Sequence, residues 1–71
     1  MLDDMYDDVK KFVQSDGFKE QRLNLMITSI QRRFRIGYVR ALCLLKLLAD
    51  DGVIQDNGIT KEFDVNVSNH Q

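Results

Sequence analysis

The sequence contains no proline and no tryptophan, and Cys43 and His70 are its only thiol and its only imidazole. A single cysteine forms no internal disulfide, and one cysteine with one histidine cannot assemble a thiolate or imidazole cage, so neither an oxidising compartment nor zinc is indicated. Long apolar runs are missing as well. The longest, Ala41 to Leu45, falls far below the roughly 18 to 20 residues that span a bilayer, and no basic segment followed by an apolar stretch marks a signal peptide. A cytoplasmic location without a membrane partner is expected. Of the glycines Gly17, Gly37, Gly52 and Gly58, none belongs to a Gly-x-x-x-x-Gly-Lys-Ser/Thr loop, so hydrolysis of a nucleotide by that mechanism is excluded. Cys43 as a nucleophile would need a nearby base, and the one histidine lies in the terminal tail, where it is expected to be exposed and idle. Asp3, Asp4, Asp7 and Asp8 lack the glycine-punctuated loop of a cation site and read as helix capping and solubility. No catalytic residue, metal, cofactor or small-molecule substrate is expected, and the chain reads as non-enzymatic.

What is present suffices for one folded domain. Apolar residues make up 44% and charged residues 30% of the 71, with a net charge of −1; this composition supports a single modest core and lacks the imbalance that keeps chains disordered. The net charge conceals a pattern. Residues 1 to 20 carry six acids against three lysines, and residues 49 to 71 carry five acids against Lys61. Between them lie Arg22, Arg32, Arg33, Arg35, Arg40 and Lys46 with no acid at all. Whether such basic groups share a face matters more for nucleic acid than the overall pI of about 5.6. The alternative is a solvated face whose arginines pair with the acidic ends of the chain or of a neighbour.

Periodicity predicts a helix over 3–14, capped by Asp3 or Asp4, with Met5, Tyr6, Val9, Phe12 and Val13 at three- and four-residue steps. Ser15, Asp16 and Gly17 supply turn chemistry. Residues 23–27 read as a short strand, and Thr28 with Gln31 three positions later reads as a capping box opening a second helix over 29–36. Gly37 interrupts the pattern, and a third helix over 38–50 ends at Asp51-Gly52. Two helices joined by a tight glycine-containing turn make a helix-turn-helix. Beyond Gly52, Asp56-Asn57-Gly58 is a hairpin signal, and Ile59, Phe63, Val65 and Val67 separated by polar residues suggest strands, so a β-hairpin is expected over 53–67. Ser68 to Gln71 read as a frayed tail. The expected fold is mainly α with a small hairpin wing, a single winged helix-turn-helix domain over 1–71. Its expected core is Tyr6, Val9, Val13, Ile30, Phe34, Ala41, Leu45, Leu48, Ile54 and Phe63.

The stretch Ser29-Ile30-Gln31-Arg32-Arg33-Phe34-Arg35-Ile36-Gly37-Tyr38-Val39-Arg40-Ala41 resembles the core of the gamma domain at the C-terminus of FtsK/SpoIIIE-type bacterial DNA translocases. Leu2 to Val9, Phe12-Val13 and Leu48 to Ile54 resemble the same domain's first helix and its helix-to-wing junction, so residues 2 to 54 are covered. The resemblance implies a bacterial or phage winged-helix domain that binds short, oriented G-rich duplex sequences, with a further contact to a site-specific recombinase. The translocase motor is missing from these 71 residues. They are either an excised domain or a stand-alone relative, and a start at Met1 with its own helix favours the second. Gln14 to Met26 is longer than the family's usual connection.

The family reads bases through an asparagine, an arginine and a glutamate on the third helix, and those positions are held here by Val39, Cys43 and Lys46. Valine has no hydrogen-bonding side chain and cysteine only a weak one, so the family's sequence preference is not expected to carry over. Residues suited to phosphate are retained: Arg32 and Arg33 on the second helix, Arg35 in the turn and Arg40 on the third helix, with Tyr38 and Lys46 as further candidates. An aromatic at a helix start such as Tyr38 also suits packing. Two readings stay open. In one the chain is a double-stranded DNA-binding module of weak or altered specificity. In the other it is a protein-interaction module, a homodimer or an adaptor or inhibitor of another protein, that uses the apolar stripe Val39, Cys43 and Leu47. Covering that stripe by Gln14 to Met26, through Phe18, Leu23, Leu25 and Met26, would remove the need for a partner.

Overall fold

The computed structural model describes residues 5–15, 18 and 22–67. Four helices follow one another: α1 Tyr6–Gln14, α2 Leu23–Phe34, α3 Tyr38–Asp50 and α4 Ile59–Val67. The first helix is as expected over its described part, with Tyr6, Val9 and Val13 turned inward. The proposed cap at Asp3 or Asp4, the turn at Asp16-Gly17, and the tail with His70 lie outside the described residues.

The second helix corrects the sequence reading. The expected strand over 23–27 and helix over 29–36 are one continuous helix, because Leu23, Ile27, Ile30 and Phe34 recur at helical steps and put one apolar face against the core. Thr28 therefore caps nothing; its hydroxyl donates back to the Asn24 carbonyl at 2.8 Å, inside the helix. Arg35 closes α2 in the left-handed conformation, φ 55° and ψ 50°, which a side-chain-bearing residue adopts at a cost of about 1 to 2 kcal/mol. Gly37, extended at φ −75° and ψ 170°, precedes α3.

The third helix matches its expected bounds. It ends in a Schellman motif, with Val53 N–H donating to Leu48 O at 2.9 Å and Gly52 N–H to Ala49 O at 3.0 Å, and with Gly52 at φ 77°. This helix packs against each of the other three. Its Ala41, Leu42, Leu44, Leu45 and Leu48 are buried together with Tyr6, Val9, Val13, Met26, Ile27, Ile30 and Ile59. Of the expected core, Phe34, Ile54 and Phe63 are only partly buried at its edge. Tyr6 donates its hydroxyl to the Asp51 carboxylate, pinning α1 to the end of α3.

The expected hairpin wing is absent: among the described residues there is no strand, and 59–67 forms α4. The Asp-Asn-Gly signal is used differently. An Asn-Gly hairpin turn of the favoured type requires positive φ at both central residues, yet of Asn57 and Gly58 only Gly58 has it, at 90°. Instead Asp56 Oδ1 accepts the Thr60 N–H at 2.9 Å while its other oxygen accepts the Thr60 hydroxyl, which starts a helix. Ile59 and Phe63, four apart, then pack against the core, the same spacing puts Val67 on their side of the helix, and Val65 falls outside it at 52% exposure.

Candidate nucleic-acid interface

The arginines flank a single turn. Arg32 and Arg33 occupy the last turn of α2, where positive charge suits the helix dipole; Arg35 is its left-handed terminus, and Arg40 stands in the first turn of α3. All four are exposed. Among the described residues no carboxylate lies within ion-pair reach of Arg32, Arg33 or Arg35. The Arg33 guanidinium carbon stands 5.3 Å from the centre of the Phe34 ring. That ring meets Phe12 edge-on at 5.8 Å, and Phe12 in turn meets Phe18 at 5.1 Å. An aromatic stack thus supports the basic end of α2 from beneath.

Tyr38 and Lys46 are placed elsewhere. They lie on the side of α3 that receives α4, and both are held by intramolecular contacts. Tyr38 donates its hydroxyl to Glu62 Oε2 at 2.8 Å, and burial, then this carboxylate, raises its pKa above the ordinary tyrosine value. Asn66 Nδ2 donates to the same oxygen at 2.8 Å. Lys46 Nζ donates to both Asp50 carboxylate oxygens at 2.8 Å and stands 5.7 Å from the Phe63 ring centre. The hydrogen bond to Asp50, aided by the charges of Asp50, Asp56 and Asp64 and opposed by burial, raises its pKa.

A third face of α3 carries Val39, Arg40, Cys43, Leu47 and Asp50, which helical spacing aligns away from the core residues and from α4. Val39 is 44% and Leu47 40% exposed, with Cys43 half-buried between them. The described part of residues 14–26 leaves this face open: Phe18 turns to Phe12, Met26 enters the core, and Leu25 is itself 40% exposed. A reading helix would present this face to a groove, yet its central positions offer a base edge almost nothing to bond. The sequence reading missed α4, whose Glu62 accepts the Tyr38 hydroxyl and whose Phe63 ring lies beneath Lys46. The signal for it was the four-residue step Ile59, Phe63, Val67.

Among the described residues, no group of three histidine, cysteine, aspartate or glutamate side chains is placed to hold a metal ion, and no helix is long and apolar enough to cross a membrane. No curated protein and no solved structure matches the chain. The sequence model of the FtsK gamma domain matches residues 1–68. With the helix-turn-helix of α2 and α3 in place and nearly the whole length matched, the chain belongs to the FtsK gamma domain family, a family of DNA-binding domains.

Proposed function

We propose that this chain is a non-enzymatic module that binds double-stranded DNA by gripping phosphate with Arg32, Arg33, Arg35 and Arg40, with weak or altered sequence specificity. The observation that carries the reading is the exposed cluster Arg32, Arg33 and Arg35 at the α2–α3 turn, without a carboxylate partner among the described residues. Arginines left unneutralised beside a helix-turn-helix are what a phosphate backbone requires, and family membership supports the same use. Val39 and Cys43 at the centre of the exposed α3 face leave little for direct base readout, so affinity rests on the backbone. Tyr38 and Lys46 add little, being held by Glu62 and Asp50.

An electrophoretic mobility shift on random duplex DNA over a series of salt concentrations tests this. With about four phosphates neutralised, log affinity falls with log salt at a slope of about −3 to −4. Replacing Arg33 by alanine flattens the slope by about one and weakens all sequences alike. Binding that is absent at low salt, or indifferent to salt, refutes the reading. A second reading, a protein contact through Val39, Cys43 and Leu47, is favoured by the exposure of Val39 and Leu47.

A further inference from the structure

The chain holds four asparagines, Asn24, Asn57, Asn66 and Asn69, and of these Asn57 alone precedes a glycine. Asparagine is chemically labile, and its weakness is local: the backbone nitrogen of the next residue attacks the side-chain amide carbon wherever the two groups meet freely. At Asn57 the fold lets them meet. Asn57 and Gly58 are both exposed, in the stretch 53–58 that is neither helix nor strand. A Cβ built on Gly58 would meet nothing within 4 Å, so no side chain and no packed segment crowds that side of the residue.

The two other asparagines among the described residues are protected. Asn24 and Asn66 lie inside α2 and α4, where ψ is held at about −42°, and closing a ring onto the next nitrogen requires rotation about that bond. Each is followed by a branched side chain, Leu25 or Val67. Asn66 Nδ2 is engaged besides, donating to Glu62 Oε2 at 2.8 Å and to Glu62 O at 3.0 Å. We propose that Asn57 is a site of spontaneous modification, where the Gly58 backbone nitrogen converts the side-chain amide to isoaspartate or aspartate through a succinimide, and that the isoaspartate form releases the cap of α4 and loosens that helix.

The conversion needs only water. Gly58 N, giving up its proton to solvent, bonds to Cγ of Asn57 while the Cγ–Nδ2 bond breaks and Nδ2 departs as ammonia, leaving a five-membered succinimide. Water then opens the ring. Attack at Cγ restores the ordinary chain with an aspartate; attack at the main-chain carbonyl carbon of Asn57 breaks its bond to Gly58 N and leaves the chain running through Cγ, as isoaspartate. One water is consumed, one ammonia is released and nothing is oxidised. Either product adds one negative charge and takes the net charge from −1 to −2. The consequences for the fold differ. Asp56 accepts the Thr60 N–H at 2.9 Å and the Thr60 hydroxyl, and Gly58 O accepts the Glu62 N–H at 3.0 Å. The isoaspartate link inserts an extra backbone carbon between these two anchors of α4, so their present spacing is lost and with it the cap. An ordinary aspartate keeps the spacing and puts its charge near the positive end of α4, where the dipole favours it.

The test is incubation of the whole chain at physiological temperature and mildly alkaline pH, with ion exchange to detect the acidic shift and peptide mapping to place it. Conversion is expected at Asn57 ahead of Asn24 and Asn66, at a rate close to that of the same chain unfolded in urea. Asn57→Gln, which would have to close a larger ring, is expected to show no shift from this position over the same period, and its exposed side chain leaves the fold unchanged. The isoaspartate form, separated from the aspartate form, is expected to melt lower and to lose helical circular dichroism amplitude relative to Asn57→Asp. Both carry the same net charge, so the difference reports the backbone link alone. Conversion at Asn57 that is far slower in the folded chain than in urea overturns the proposal, as does conversion at Asn24 or Asn66 as fast as at Asn57. An isoaspartate form that melts with Asn57→Asp overturns the release of the cap. None of these measurements involves DNA, so the outcome is independent of the work assigned to the arginines.

Discussion

Tyr38 donates its hydroxyl to Glu62 Oε2 at 2.8 Å, joining the first turn of α3 to α4. Four residues C-terminal to Tyr38 on this helix, Leu42 is fully buried, and Lys46, four further, reaches the Phe63 ring. One side of α3 is therefore committed to α4. The basic residues thus fall into two settings: the arginines around the α2–α3 turn are exposed, and the half-buried Lys46 is held by Asp50 and Phe63.

The division predicts opposite outcomes for two charge removals. Lys46→Ala should lower the thermal midpoint slightly, since it loses the Asp50 pair and the contact with Phe63, and should leave the salt slope of DNA binding unchanged. Arg33→Ala should do the reverse, with little change in midpoint and a slope flatter by about one. Tyr38→Phe should cost less than about 1 kcal/mol, as loss of an exposed hydrogen bond does, and should not alter DNA affinity. Thermal melts followed by circular dichroism, paired with salt-dependent mobility shifts, check all three. A steep loss of DNA affinity in Lys46→Ala would return Lys46 to the phosphate-binding set.

Arg35 predicts a conflict between stability and binding. It is the one non-glycine residue among those described with positive φ, at 55°. Glycine there removes the steric cost of the left-handed conformation. Arg35→Gly should therefore raise stability by up to about 1 kcal/mol, and at the same time flatten the salt slope by about one. Urea denaturation and mobility shifts on the same protein measure the two effects. A variant that is less stable would show that Arg35 makes contacts worth more than its backbone strain.

The alkaline limb of the stability curve should depend on Tyr6. Its hydrogen bond to the Asp51 carboxylate, with burial and the charges of Asp51 and Asp7, pushes its pKa from 10.0 up to about 12. A group whose pKa is raised by folding stabilises the folded state fully below its unfolded value and loses that contribution as pH rises through the folded one. The midpoint of Tyr6→Phe should thus lie below wild type at neutral pH, and the gap should close between pH 10 and about 12. Melts at a series of alkaline pH values check this. A gap that stays constant with pH would mean that the contribution of the hydroxyl does not depend on its ionisation.

How much of this was legible in the sequence depended on whether one pattern had a competitor. The third helix was placed to the residue, because thirteen positions of helical apolar spacing end at a glycine that suits a Schellman motif. The arginines around the turn were legible through the family motif and through the charge pattern. The start of α2 was lost because Leu23 to Ile27, taken alone, is a short apolar run that fits either a strand or a buried helix. Thr28 and Gln31 then mimicked a cap; only the longer step from Leu23 through Ile27 and Ile30 to Phe34 settles it. Lys46 has two neighbours of different legibility: its pair with Asp50 is an i,i+4 step inside α3, whereas its contact with the Phe63 ring depends on α4, which no local reading of α3 contains.

The segment after Gly52 carries two competing periods, and substitutions at Val65 and Ile59 separate them. Alternation of Phe63, Val65 and Val67 fits a strand with one apolar face; the step of four through Ile59, Phe63 and Val67 fits a helix. The two readings agree on Phe63 and Val67 and disagree on Val65. In a hairpin Val65 stands between them on the buried face, whereas in α4 it points to solvent at 52% exposure. Val65→Lys should therefore change stability by no more than about 0.5 kcal/mol, as exposed substitutions do. Ile59, fully buried where α4 begins, should behave oppositely, and Ile59→Ala should cost about 2 to 5 kcal/mol. Urea denaturation of both variants measures the contrast, and the far-ultraviolet circular dichroism of Val65→Lys should keep its helical amplitude. A large loss of stability in Val65→Lys would place Val65 in a core and make residues 59–67 a strand. A neutral result there, beside a costly Ile59→Ala, fixes the period at four and the element as a helix.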